Sequence, residues 1–186
     1  MTDTDSTPVL QAAFRKISAA IEGLGHKSVA IGDMAHQVWG SKRPVGTVDL
    51  LVSSNEAQRE SLLGAARGEG LTNAPGGSPL GFRYTDRRLG GNVGVELLEA
   101  STPFLKQIIT RAQRGVALQS QMMVATVEDL ILLRSGSADP NHRASVVELL
   151  RWNAGRLDAA YVKKEAEAAG IFDKLKSAWQ EAKQQG

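Results

Sequence analysis

Residues 28–52 read SVAIGDMAHQVWGSKRPVGTVDLLV, and the order of apolar and polar positions within this stretch decides the fold. Ser28 to Ile31 is a short apolar strand, Gly32-Asp33 turns the chain, Met34 to Trp39 predicts a helix stopped by Gly40, and Thr47 to Val52 is a second strand. Side chains on a strand alternate faces, so Thr47, Asp49 and Leu51 point one way while Val48, Leu50 and Val52 point the other. One face is apolar and the other carries Asp49. Carboxylates at i and i+2 on such a strand would lie side by side and could share a pair of divalent cations clamping a triphosphate. Here the second position is Leu51.

Working outward, Ser6 or Thr7 can cap a helix with Pro8 in its first turn, and Leu10, Phe14, Ile17, Ile21 and Leu24 recur at helical spacing until Gly25. A helix from about Glu56 to Arg67 ends among Gly68 and Gly70, and the glycine-rich stretch Ala74 to Gly81 reads as a loop. Gly81 to Thr85 predicts a strand, the chain turns at Asp86 to Gly91, and Val93, Val95 and Leu97 alternate as another strand with Glu96 on its opposite face. Beyond Ser101 the chain reads as helical. Pro103 opens a helix over Phe104 to Arg114, Thr126 with Asp129 forms a capping pattern for Val127 to Ser135, and further helices follow at about His142 to Asn153, Leu157 to Ala169 and Ile171 to Ala182. The expected architecture is α/β (α+β): a mixed-sheet core over residues 1–100 and a helical C-terminal region, 101–186, packed on it.

At 186 residues, 42% hydrophobic and 23% charged, the chain can bury one core or a core with a helical appendage. It has no cysteine, which excludes disulfides and thiolate metal sites, and no apolar run approaches the roughly 18 residues of a membrane helix. The polar start MTDTDSTP lacks a basic-then-apolar signal pattern, so a cytoplasmic location and no membrane partner are expected. A net charge of +2 is too weak a field to identify a nucleic-acid binder. Arg83, Arg87 and Arg88 around a turn, and Lys106, Arg111 and Arg114 on one predicted helix, could meet phosphates or be solvated surface charge. His26, His36 and His142 show no ligand spacing and read as surface or helix-end residues, and Trp39, Trp152 and Trp179 as packing residues.

This pattern resembles the nucleotidyltransferase fold, in particular its minimal and abortive-infection (AbiEii-like) groups, whose signature is a Gly-Gly or Gly-Ser turn followed by R-x-T-x-D-h-D. Gly32-Asp33 stands at the turn; Thr47 and Asp49 match the threonine and first aspartate; Val45 holds the arginine position, with Arg43 nearby, and Leu51 the second aspartate position. The segment GVELLEA resembles the later strand that brings a third acid, which makes Glu96 the candidate for it. TVEDLILLR resembles the p-E-D-L-h-h-h-K segment with Arg134 in the lysine position, and RLDAAYVKKEAEAAGIFDKL resembles the closing L-D-x-x-Y-h helix pair.

The resemblance implies Asp49 and Glu96 as catalytic and metal-binding residues, Gly32, Asp33, Thr47 and Arg134 as nucleotide-binding residues, and Mg2+ if the protein is active, otherwise no cofactor. The residues themselves leave other readings open: Asp49 as a strand-end aspartate held by backbone N–H groups, Glu96 as an edge-strand glutamate, and Arg134 as the partner of an acid such as Glu128 or Asp129. Leu51 removes a bridging ligand, and Asp33 sets a negative side chain beside the turn, unless it supplies the missing ligand. The leading expectation is therefore a catalytically degenerate nucleotidyltransferase-fold protein that binds an NTP or a protein partner. The alternatives are an active transferase moving an NMP from NTP to RNA or protein in a toxin-antitoxin or phage-defence setting, and an RNA-binding module.

Overall fold

The stripe of Leu10, Phe14, Ile17 and Ile21 is buried along one side of α1 (Thr7–Gly23), which is what its helical spacing requires. A computed structural model describes residues 7–75, 78–137 and 140–184. After α1 come β1 (Ser28–Ala30), α2 (Gly32–Val38), β2 (Thr47–Val52), α3 (Arg59–Gly68), β3 (Thr72–Asn73), β4 (Gly81–Asp86), β5 (Gly91–Glu99) and α4 (Pro103–Arg111). The chain continues through β6 (Gln113–Ala117), β7 (Ser120–Val124), α5 (Val127–Ser135), α6 (Pro140–Asn153), α7 (Ala159–Ala168) and α8 (Phe172–Gln184). The strands form one seven-stranded mixed sheet in the order β3-β4-β5-β2-β1-β7-β6. β2 runs parallel to β5 and β1 to β7, and the other pairs are antiparallel.

The β4-β5-β2 half of this sheet has unequal faces. Phe82, Tyr84, Val93, Val95, Leu97, Val48 and Leu50 are all buried. They lie on the side of α1, where a side chain at Gly91 would run into Val9. On the other side Arg83, Thr85 and Asn92 are exposed, and Thr47, Asp49, Gly94 and Glu96 are half-buried. The alternation read from the sequence is thus a division between a core face and an open polar face. The expected helix starts also hold: the Thr126 hydroxyl accepts from the Asp129 N–H, and Thr102 from the Leu105 N–H ahead of Pro103.

Two expectations need correction. The chain beyond Ser101 is not wholly helical, because residues 113–124 form the β6–β7 hairpin that completes one edge of the sheet. The predicted helix to Arg114 stops at Arg111 for the same reason. Glu96 is not on an edge strand, since β5 lies between β4 and β2. Within the expected loop, Gly81 already belongs to β4, and residues 76 and 77 lie outside the described residues, as does the Ser6 cap. No described helix is long and apolar enough to cross a membrane.

Candidate nucleotide site

Asp49 and Glu96 are direct neighbours, because the parallel register of β2 and β5 pairs them residue for residue. The Thr47 hydroxyl, two positions back on the same face, donates to Asp49 Oδ2 at 3.0 Å. At the end of β1 the chain passes through Gly32 with φ +63°, a left-handed conformation that glycine adopts without cost. A Cβ on Gly32 would lie 2.0 Å from Asp49 Oδ2, so the Asp49 carboxylate rests directly on the glycine backbone. Glu96 leans the other way, its carboxylate 3.0 to 3.2 Å from where a Gly81 Cβ would stand. The carboxylates share one face yet are braced toward opposite sides.

Asp33, in the first turn of α2, faces Arg134 of α5 at 3.1 Å, and Arg134 also donates to the Ser145 hydroxyl at 3.0 Å. This corrects the expected pairing of Arg134 with Glu128 or Asp129. Those acids are engaged elsewhere: Arg111 Nε and the Tyr161 hydroxyl both donate to Asp129, and Glu128 accepts from the Asp158 N–H. A partner about 100 residues away in the chain leaves no local trace in a sequence. Arg43 joins the same cluster, bonding Glu148 at 2.9 Å and sharing Ser145 with Arg134.

His36, one turn beyond Asp33, is fully buried rather than at the surface. Neither of its ring nitrogens has a hydrogen-bond partner. Burial first, then the positive charges of Arg134 and Arg43, hold its pKa down to about 3, so the ring stays neutral. Nothing in the spacing of the histidines reveals this role. Among the described residues no three His, Cys, Asp or Glu side chains group as a metal site. The acids that the strand pairing brings together on the open face are Asp49 and Glu96.

Burial raises the Asp49 pKa to about 6, with Asp33 and Glu96 adding repulsion, while Thr47 and Arg134 act against the rise. A carboxyl that ionises less readily folded than unfolded is stabilising when protonated, so its contribution falls as pH rises from about 4 to about 6. Asp49→Asn is therefore expected to raise stability of the metal-free protein above pH 7 by about 2 to 3 kcal/mol. His36 has the opposite trend, losing stability on acidification below its unfolded pKa, and cancels when variant and wild type are compared. Denaturant unfolding from pH 4 to 8 checks this. A constant difference between the two proteins across that range would contradict it.

The mixed sheet, with its glycine turn between β1 and α2 and the paired strands β2 and β5, defines a nucleotidyltransferase-like fold. The solution structure of the antibiotic-resistance factor ANT(2'')-Ia is similar to this chain with a TM-score of 0.52 at 16% identity, over 97% of both chains. A crystal structure of an antigenic nucleotidyltransferase-like protein from Paracoccidioides brasiliensis is similar with a TM-score of 0.55 at 12% identity, over 91% of this chain and 92% of that one. The sequence matches no protein-family model and no curated protein.

Proposed function

We propose that this nucleotidyltransferase-fold protein binds a magnesium nucleotide at Asp49 and Glu96 and that its power to transfer a nucleotidyl group is degenerate. The observation that carries the reading is the pairing of Asp49 with Glu96 on the open face, while Leu51, at the place of a second strand carboxylate, is fully buried. Asp49 and Glu96 would hold the cation, which when bound supplies charge neutralisation to the phosphates. Thr47 orients Asp49, Gly32 admits close backbone approach, and Arg134 sets a cation at the turn through its contact with Asp33. With leucine at residue 51, the strand offers no second carboxylate that would hold a further cation.

The active-transferase reading draws on one observation, that Asp33 lies near enough to Asp49 to raise its pKa and so could serve as a third ligand if released from Arg134. In that reading the chain moves an NMP from NTP to RNA or protein, as in toxin-antitoxin or phage-defence settings. Calorimetric titration with ATP, with and without magnesium, tests both. Magnesium-dependent binding that weakens at least about ten-fold in Asp49→Ala, with no labelled product in a transfer assay, is the expected result. Transfer abolished by Asp49→Ala would establish the active reading, and no binding at millimolar nucleotide would sink the proposal.

A further inference from the structure

The open face of β4 and β5 carries a cation that no acid neutralises. Arg83 follows Gly81 on the same face of β4 and stands opposite Gly94 of β5, which in turn stands opposite Thr47. Its guanidinium is held by a neutral group: Nη1 donates to Asn92 Oδ1 at 3.0 Å. Among the described residues Arg83 forms no ion pair. A guanidinium carries five N–H donors in a planar fork that matches a phosphate, and one hydrogen bond to an amide oxygen leaves most of that fork open. The side chain is oriented without being neutralised.

The ground between Arg83 and Asp49 is low along Gly94. Gly94 and Gly81 contribute no side chains to it, and a Cβ on Gly94 would already press Thr47 Cγ2 at 3.3 Å. Arg83 lies two strands and one side-chain step from Asp49, a Cα separation of about 12 Å from strand spacing and rise. Thr72 and Thr85 border Arg83 on the same exposed face, and Arg87 and Arg88 extend the positive charge into the β4–β5 turn. Asp49 at one end, an open arginine at the other and, between them, the bare strip at Gly94 with Glu96 leaning aside over Gly81 suit a ligand that spans both.

From this we infer that the open face of β4 and β5 binds a phosphate group of a second ligand, lying beside the nucleotide and gripped by Arg83. The inference rests on the proposed nucleotide site only for its neighbour. The phosphate could belong to a small phosphomonoester or to the phosphodiester backbone of single-stranded RNA, and the probes separate these. Isotope-labelled protein is titrated with ribose 5-phosphate, with a short single-stranded oligoribonucleotide and with magnesium ATP, following the backbone amides of Arg83, Thr85, Asn92 and Gly94 and the Arg83 Nε signal by NMR.

At least one phosphate probe is expected to shift those signals saturably, and Arg83→Gln is expected to weaken it about ten-fold or more, the loss of a charged hydrogen-bonding partner. Ribose 5-phosphate sufficing identifies a monoester; binding by the oligonucleotide alone identifies RNA. Arg83→Gln should leave magnesium ATP binding unchanged, and Asp49→Ala should remove ATP binding while leaving the phosphate probe in place. Silence of both phosphate probes, or equal affinity in Arg83→Gln, overturns the inference even if ATP binds. Loss of ATP and phosphate probe together in either variant overturns it too, by making Arg83 part of the nucleotide site. Phosphate binding at Arg83 without any ATP binding would remove the nucleotide reading and with it the role beside a nucleotide.

Discussion

Gly32→Ala is expected to destabilise the protein by about 2 to 5 kcal/mol, combining a left-handed backbone cost of about 1 to 2 kcal/mol with overpacking of about 1 to 3 kcal/mol. The methyl carbon would stand 2.0 Å from Asp49 Oδ2 and 2.8 Å from both Asp49 Cβ and Cγ. Rotation of the carboxylate relieves the first of these contacts and leaves the contact with Cβ, which the backbone of β2 fixes. Gly25→Ala supplies the control, because Gly25 has φ +73° with nothing within 4 Å of its would-be Cβ. That substitution is expected to cost only the backbone share, about 1 to 2 kcal/mol. Combining Gly32→Ala with Asp49→Gly removes the collision, so alanine at residue 32 in that background should cost about as much as the Gly25 control. Urea unfolding of the four variants decides this. Equal costs for Gly32→Ala with and without Asp49 would mean that the glycine is required only for its dihedral angle and that the carboxylate is not seated on it.

An acid placed at residue 51, the second strand position, is expected not to be tolerated. Leu51→Asp should cost about 4 kcal/mol or more, since it removes a buried leucine and buries a carboxyl group without a partner. Leu51 is fully buried, and its cross-strand neighbours in register are Val29, also buried, and Leu98. A carboxylate there would also face Asp49 two residues away, whose own ionisation is already opposed. Residue 51 thus belongs to the core. Leu51→Asn separates the effects: it has nearly the same shape as aspartate without the charge, and should be the more stable of the two above neutral pH. A folded Leu51→Asp protein that bound magnesium more tightly than wild type would show instead that leucine occupies a ready metal site.

The elements that could be read from the sequence are those with strong local periodicity. Val48, Leu50 and Val52 against Thr47 and Asp49, and Val93, Val95 and Leu97 against Glu96, settle both strands and the face that each acid takes, and the structure pairs those acids. The β6–β7 hairpin escaped because its turn has no turn chemistry. Leu118 and Gln119 occupy it with φ of 49° and 55°, where two-residue hairpins favour Asn-Gly. Arg114 and Val116 on β6 are exposed, so no apolar repeat marks that strand either. At the site, the acids on strands were legible and the partnerships between distant elements were not: Arg134 with Asp33, and the two arginines beside the buried His36, come together only through the packing of α2 against α5 and of α5 against α6. The open arginine at residue 83 was visible as charge, but its distinguishing property, an uncharged partner, belongs to the cross-strand register.

The contact between Asp33 and Arg134 means that an incoming phosphate would not meet a vacant cation. It would compete with a carboxylate tethered to the same scaffold, present at a high effective concentration that no dilution lowers. Affinity at this turn is then a difference between two anions, and the tethered one is always in place. Under the proposed reading, a phosphate would enter only by displacing Asp33, so the ion pair would set a minimum strength of interaction that any ligand at this turn must exceed.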